Sequence, residues 1–283
     1  MKPRIRFSIL FFLAVCCIPL SAQNYTFQSV ECNGEGMSAY GMNGSGVVAG
    51  TQVASGAIYY NGTCFTYPSV PFYGISDTNW LIAGLQFAPG YYLIEPGPKV
   101  LPLPNYPQSQ STSYCCMDSA AGIFAGNYIP ANAALNTRVG FIYQNGKFTS
   151  LPWSEASGSS SYEYTIGAMN NTGTVVGTYQ GIYVLGFTIV KGKVTLLAYP
   201  GANVTNFNGV NDNGIVVGSY YKQAVGDINI VLYNTASGTW ADLNFPPPYD
   251  LMTPVGISNS VCETTVTNSE SLFWHPYWSM PKR

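Results

Sequence analysis

A chain of 283 residues, 47% of them hydrophobic, is long enough to bury a sizeable core, and a single all-β array runs naturally to this size. Charged residues make up only 8%, while Tyr (22), Gly (30) and Pro (19) are plentiful, which excludes a charged disordered chain and favours strands joined by turns. The formal net charge is −2, and no basic cluster follows the first six residues, so nucleic acid is excluded as a partner.

Lys2, Arg4 and Arg6 precede an almost unbroken apolar run over residues 7–20, and Leu20-Ser21-Ala22 offers small residues before a cut. This pattern predicts a secretory signal peptide over residues 1–22 and one exported domain over residues 23–283, secreted or in the cell envelope. The run is too short for a membrane span, which needs about 20 residues, and no later stretch approaches that length. Removing the segment leaves eight basic and 13 acidic residues, a net charge of −5. Five cysteines stay in the exported domain: Cys32, Cys64, Cys115, Cys116 and Cys262. An odd number in an oxidising compartment leaves at least one thiol unpaired. Their spacing fits no metal motif, and neighbouring cysteines are poorly shaped to grip one ion. All five are expected to be plain strand residues, with any pairing left open.

From residue 40 onward one phrase returns six times, over residues 40–52, 73–86, 115–128, 167–180, 208–221 and, decayed, 255–267. Each copy has Gly-apolar at a strand end, then a turn such as Asn43-Gly44 or Asn211-Asp212-Asn213-Gly214, then an apolar strand closing on Gly50, Gly84, Gly126, Gly177 or Gly218. Asn, Asp and Gly tolerate the positive φ of tight hairpins, so each copy reads as a β-hairpin. A third, aromatic-rich strand follows (Ala57-Ile58-Tyr59-Tyr60, Gly140-Phe141-Ile142-Tyr143), then a glycine turn (Asn61-Gly62, Asn145-Gly146, Lys191-Gly192). The fourth strand runs toward a proline, as in Phe65-Thr66-Tyr67-Pro68 and from Val194 to Pro200; proline suits an outer edge.

Met42, Ile75, Met117, Met169, Val210 and Ile257 are equivalent in this alignment and lie 33, 42, 52, 41 and 47 residues apart, a mean of 43. That period suits a four-stranded propeller blade. The last copy has only three strands, over residues 253–258, 261–267 and 272–275. Residues 25–30 resemble an orphan fourth strand. The two ends complement each other, so the expected fold is an all-β, six-bladed β-propeller whose last blade is completed by the N-terminal strand. An open β-solenoid is the alternative.

The phrase at residues 208–221, Gly-Phe-Ile-Tyr-Gln-Asn-Gly at residues 140–146 and Pro200-Gly201-Ala202 resemble the HAF-type extracellular repeat, a family of exported bacterial repeat proteins common in acidobacteria and related soil bacteria. The resemblance covers nearly the whole exported domain and implies export and a repeat fold without a settled activity. The family's third strand often opens with His, whereas this chain has Arg138-Val139 and Leu185 there, so no histidine carries over. Trp80 and Cys262 also depart from the pattern.

The chain has one histidine, His275, which reads as a structural strand-end residue; sites built from several histidines are excluded. Glu155 and Glu163 flank the Gly/Ser-rich residues 156–161, with Trp153, Tyr162 and Tyr164 close by, an acid pair beside aromatic platforms such as glycoside hydrolysis employs. Asn211-Asp212-Asn213-Gly214 has a superficial calcium-loop look. Ile215-Val216-Val217 follows where further oxygen ligands are needed, so no metal is expected.

The long segments 105–113, 128–138, 152–163 and 245–249 are expected to form a loop rim rich in Tyr, Ser, Asn and Pro. Tyr106, Trp153, Glu155, Tyr162, Glu163, Tyr164 and Tyr249 are its candidate ligand-binding residues, since aromatic faces with amides and hydroxyls suit sugars or peptides. The expected function is a non-enzymatic binding or surface module for a glycan or protein ligand, monomeric and without cofactor. The rival is a carbohydrate-active hydrolase or lyase using Glu155, Glu163 or Asp250.

Overall fold

The computed structural model describes residues 25–33, 35–52, 55–85, 88–94, 99–118, 122–131, 138–151, 163–223, 228–243, 252–257, 262–266 and 271–276. Residues 1–22, where a leader is expected, lie outside them. Among the described residues every regular element is a strand, and no helix is long and apolar enough to cross a membrane.

Strand β1 (Tyr25–Cys32) and the two-residue β2 (Glu35–Gly36) open the chain. The first unit follows as β3 (Ser38–Met42), β4 (Val48–Gln52), β5 (Ser55–Tyr60) and β6 (Thr63–Tyr67). The second is β7 (Phe72–Ile75), β8 (Leu81–Leu85), β9 (Ala88–Ile94) and β10 (Val100–Leu103). The third is β11 (Ser109–Met117), β12 (Ile123–Pro130), β13 (Val139–Gln144) and β14 (Lys147–Ser150). The fourth is β15 (Glu163–Met169), β16 (Val175–Gln180), β17 (Val184–Val190) and β18 (Lys193–Leu197). The fifth is β19 (Val204–Val210), β20 (Ile215–Tyr221), β21 (Ile228–Asn234) and β22 (Thr239–Leu243). The sixth has β23 (Met252–Ile257), β24 (Cys262–Val266) and β25 (Ser271–Pro276).

Each unit is an antiparallel meander in chain order. Units three to five join into one sheet only through single parallel bridges, Val139 to Tyr164 and Val184 to Val204. β1 pairs antiparallel with β25, from Tyr25 opposite Pro276 to Val30 opposite Ser271, and so supplies the strand that the sixth unit lacks. The first strands β3, β7, β11, β15, β19 and β23 each lie beside the next, and β23 lies beside β3.

Local sequence explains the third-to-fourth-strand turns directly. Asn61-Gly62, Asn145-Gly146 and Lys191-Gly192 each have positive φ at both residues, the pairing that matches strand twist in a two-residue hairpin. The packing between units depends on missing side chains. Gly56, Gly140 and Gly186 in third strands face Phe72, Ile166 and Phe207 of the following unit, and a Cβ at any of them would come within 3 Å of a neighbouring side chain. Phe72 and Phe207 are among the largest fully buried residues, so at these three joints the following unit presses a bulky side chain onto a glycine of the one before.

Three expectations are corrected. The fourth strand placed from Val194 to Pro200 stops at Leu197, because Tyr199 and Ala202 close a turn through an Ala202 N–H bond to the Tyr199 carbonyl, 3.0 Å. Segments 105–113 and 128–138 are partly strand, since β11 starts at Ser109 and β12 runs to Pro130. Cys32 and Cys64 are not plain strand residues: they form a disulfide with a Cα separation of 5.2 Å that fastens β1 to β6.

Two outcomes follow from this seam. Deleting residues 23–31 removes the partner of β25 and exposes its edge, so the melting temperature of the whole domain should fall sharply in a calorimetric scan; an unchanged value overturns the pairing. The disulfide closes a loop of sequence separation 32. Cys64→Ser should therefore lower unfolding free energy by about 2–4 kcal/mol in denaturant titrations.

Candidate functional site

The six apolar residues aligned from sequence meet in space. Met42, Ile75, Met117, Met169, Val210 and Ile257, one from each first strand, line two adjoining recesses of about 410 and 500 Å³. The larger one is continued by the strand backbone at Gly41, Gly74, Gly167, Gly209 and Gly256 and by Cys115 and Cys116. Each first strand carries a register shift just before its ring residue, as between Ala39 and Gly41 or Phe207 and Gly209. A bulge bends and twists a strand locally, here where six strands converge.

The smaller recess opens among the turns that follow the ring residues. Its wall includes Gly44, Ser76, Asp77, Asn170, Asn171, Asn211 and Asp212. The turn is built by the side chain of its first residue. Asn43 Oδ1 accepts the Ser45 and Val47 N–H groups, both at 3.0 Å, and Asn211 Oδ1 accepts those of Asn213 and Ile215 at 3.1 and 2.9 Å. Asn170 Oδ1 does the same for Thr172 and Thr174. The positive φ expected of Asn falls instead on the fourth turn residue, Gly46, Gly173 or Gly214. The free face of the same amide reaches the next unit: Asn43 Nδ2 donates to the Ser76 carbonyl at 3.3 Å, and Asn170 Nδ2 to the Asn211 carbonyl at 2.8 Å.

The second turn residue continues this chain of contacts at the mouth. Asp77 Oδ1 accepts the Gly44 N–H at 2.6 Å, and Asp212 Oδ1 accepts the Asn171 N–H at 2.9 Å. Asn171 Nδ2 then donates to both Asp77 Oδ2 and Asp212 Oδ2, each at 2.8 Å. One amide thus holds together two carboxylates from units two and five. Each carboxylate also accepts a backbone N–H, from Gly44 or Asn171, and the amide between them is neutral. In the sequence these residues read only as turn residues; the signal that points to them is the change from Gly44 to Asp77, Asn171 and Asp212 at one position of a repeated turn.

Of the residues singled out from sequence, Trp153, Glu155, Tyr162, Tyr249 and Asp250 lie outside the described residues. Glu163 starts β15, its backbone opposite Gln180, and His275 stands in β25 opposite Thr26. Tyr164 is half-buried against Tyr179 and Phe187, with ring centroids 4.7 and 5.5 Å away. Tyr106 stacks on Tyr128 at 3.6 Å, and its hydroxyl is hydrogen-bonded to Ser150. Unit five repeats this device: Tyr199 stacks on Tyr220 at 3.8 Å, its hydroxyl donates to Asp242 Oδ2 at 2.9 Å, and Lys222 Nζ sits 4.7 Å from the Tyr199 ring. In both places the backbone N–H of the first tyrosine donates to a threonine six residues on, Thr112 or Thr205. Tyr106 and Tyr164 thus pack against neighbouring rings and line neither recess. Among the described residues no group of three or more His, Cys, Asp or Glu side chains could hold a metal ion.

No family model matches this chain, and no curated protein sequence matches it. Solved structures do share its fold. A TolB-like protein from Agrobacterium tumefaciens superposes with a TM-score of 0.57 at 11% identity, covering 92% of this chain and 100% of that one. A catalytically inactive virginiamycin B lyase from Staphylococcus aureus, solved with quinupristin, gives 0.51 at 12%, covering 89% and 99%. Oligogalacturonate lyase from Vibrio parahaemolyticus gives 0.51 at 9%, covering 88% and 85%. The chain therefore has an all-β, propeller-like fold.

The tyrosine packing carries a pH dependence. Burial, joined for Tyr220 by the hydrogen bonds its hydroxyl gives to Tyr199 and Asp242, pushes the phenols of Tyr114 and Tyr220 far above their usual value. Burial likewise raises Tyr91 and Tyr164. A raised folded-state value leaves stability intact below the unfolded value of about 10 and removes it as pH rises further, because the unfolded chain ionises first. The denaturation midpoint should hold from neutral pH to about pH 10 and fall above it, with a late step of phenolate absorbance from the buried tyrosines accompanying unfolding.

Proposed function

We propose that this chain is an exported HAF-type repeat protein folded as a closed six-bladed β-propeller, acting as a non-enzymatic module that binds a glycan or protein ligand at the channel mouth. Support for closure comes from the pairing of β1 with β25 and from β23 lying beside β3. Export rests on the leader read at residues 1–22. The observation that carries the functional reading is the bridge in which Asn171 joins Asp77 to Asp212. Exposed carboxylates and amides from separate units converge there on a preformed, shallow recess. Such a surface accepts hydrogen bonds from sugar hydroxyls, peptide amides or an ammonium group.

A second reading, a carbohydrate-active hydrolase or lyase, draws on the same convergence, because sugar-cleaving sites pair two acids. Two structural neighbours, virginiamycin B lyase and oligogalacturonate lyase, are lyases by name. The described donors favour binding instead. Gly44 and Asn171 hold Asp77 and Asp212 as hydrogen-bond acceptors, whereas a general acid must carry a proton it can give away.

Glycan and peptide arrays, followed by calorimetry on any hit, test this reading. A ligand of the mouth should lose at least about tenfold in affinity, roughly 1.4 kcal/mol, on Asp77→Asn with Asp212→Asn, since the isosteric amides keep the turns but remove both charges. Blank arrays would sink the binding role. Turnover of a polysaccharide by the wild type would move the chain to the second reading.

A further inference from the structure

Side chains of consecutive strand residues point to opposite faces, so two adjacent cysteines in a regular strand stay apart. β11 breaks that rule at Cys115 and Cys116. Its register against β12 shifts between Tyr114 and Cys116, which makes Cys115 the extra residue of a bulge. Both cysteines consequently line the larger recess inside the ring. Their sulfurs lie 2.9 Å apart. That is within about 1 Å of the roughly 2.05 Å of a bonded pair.

The place of Cys116 is unusual within the repeat. The matching positions hold Gly41, Gly74, Ala168, Gly209 and Gly256. Small residues are favoured there because first strands approach closely: a Cβ at Gly209 would stand 2.9 Å from the Gly256 Cα. Only the third unit places a sulfur-bearing side chain at this contact.

We propose that Cys115 and Cys116 form a reversible dithiol–disulfide site in the channel wall, oxidised by a low-molecular-weight disulfide. The Cys115 thiolate attacks one sulfur of the incoming disulfide RSSR, forming Cys115–S–S–R and releasing RS⁻. Cys116 then gives its proton to solvent and attacks Cys115 Sγ; the bond to the R–S group breaks, and a second RS⁻ leaves. The net exchange turns two protein thiols and RSSR into one vicinal disulfide and two RSH, so electrons and atoms balance. The hydrogen bond to Cys115 and, next, burial push the Cys116 thiol well above its usual range, which fits Cys116 as the second and not the first sulfur to react.

The bond so formed would open readily. Adjacent Cα atoms across a trans peptide are about 3.8 Å apart, below the usual span of about 4.4–6.8 Å for a disulfide, and strain of that kind makes a bridge easier to reduce. Cys32 and Cys64, 5.2 Å apart, sit inside that span. A mild reductant should therefore distinguish the two bridges.

Peptide mapping by mass spectrometry tests the assignment on the purified full chain, reduced mildly, exposed to oxidised glutathione, quenched in acid and alkylated. The peptide holding Cys115 and Cys116 should be lighter by two hydrogens than its dithiol form and carry no alkyl group. Mild reduction should restore both alkylation sites while Cys32–Cys64 stays closed. Cys116→Ser should instead trap a glutathione adduct on Cys115. Any other result on the wild type overturns the proposal: full alkylation of both cysteines after oxidation, a stable glutathione adduct on either one, or a cross-link from either to another cysteine.

Discussion

The fold turns on an asparagine amide used in two directions at once. Asn43, Asn170 and Asn211 spend their oxygen on the backbone of their own turn, and Asn43 and Asn170 spend their nitrogen on a carbonyl of the next unit. Side-by-side units share almost no main-chain ladder, so a buried side chain with both ends satisfied sets their spacing. Leaving either end unpaired would cost about 1–3 kcal/mol per group. Where Ser76 and Asp118 replace the asparagine, the turn is still held, through Trp80 N–H on Ser76 and Gly122 and Ile123 N–H on Asp118. Neither side chain has an amide nitrogen to send forward. Other contacts take over at those joints. Tyr73, Tyr91 and Tyr114 link units two and three, and Asn127 exchanges two hydrogen bonds with the Ile166 backbone across units three and four.

The repeat was legible in the sequence because its information is local. Asn61-Gly62 and its counterparts announce a turn through their own conformational preferences, and alternating apolar strands announce a face. The pairing of residues 25–30 with the last strand could also be read, since an orphan strand at one end answered a gap at the other. What stayed hidden depends on relations between units. Nothing local marks Asp77 and Asp212, 135 residues apart, as partners of one Asn171 side chain. Gly56 and Gly186 stand in third strands that read only as aromatic-rich, and their purpose, room for Phe72 and Phe207 of the next unit, needs coordinates. Tyr106 drew attention as an aromatic in a polar segment; its stacking on Tyr128 lies beyond the reach of composition.

These observations bear on where individuality sits in a repeat protein. The head of each turn is a short side chain that bonds its own turn backbone, Asn, Ser or Asp, and the ring residue beneath it is always apolar, while the second turn position reads Gly44, Asp77, Asn171 and Asp212 in the described turns. That position points to the mouth, where Asp77, Asn171 and Asp212 hydrogen-bond between units. Scaffold and recognition surface are interleaved residue by residue within one short phrase.

The seam between β1 and β25 has a consequence for how the chain reaches this state. β1 is synthesised ahead of every other described strand, yet its partner is the last of them. Contacts of such sequence separation form slowly, and an unpaired edge invites wrong partners in the meantime. The Cys32–Cys64 bridge joins β1 to the outermost strand of the first unit. Once that unit has formed, the bridge can moor the waiting strand beside the place where the final strand will arrive, turning a search across the whole chain into a short one.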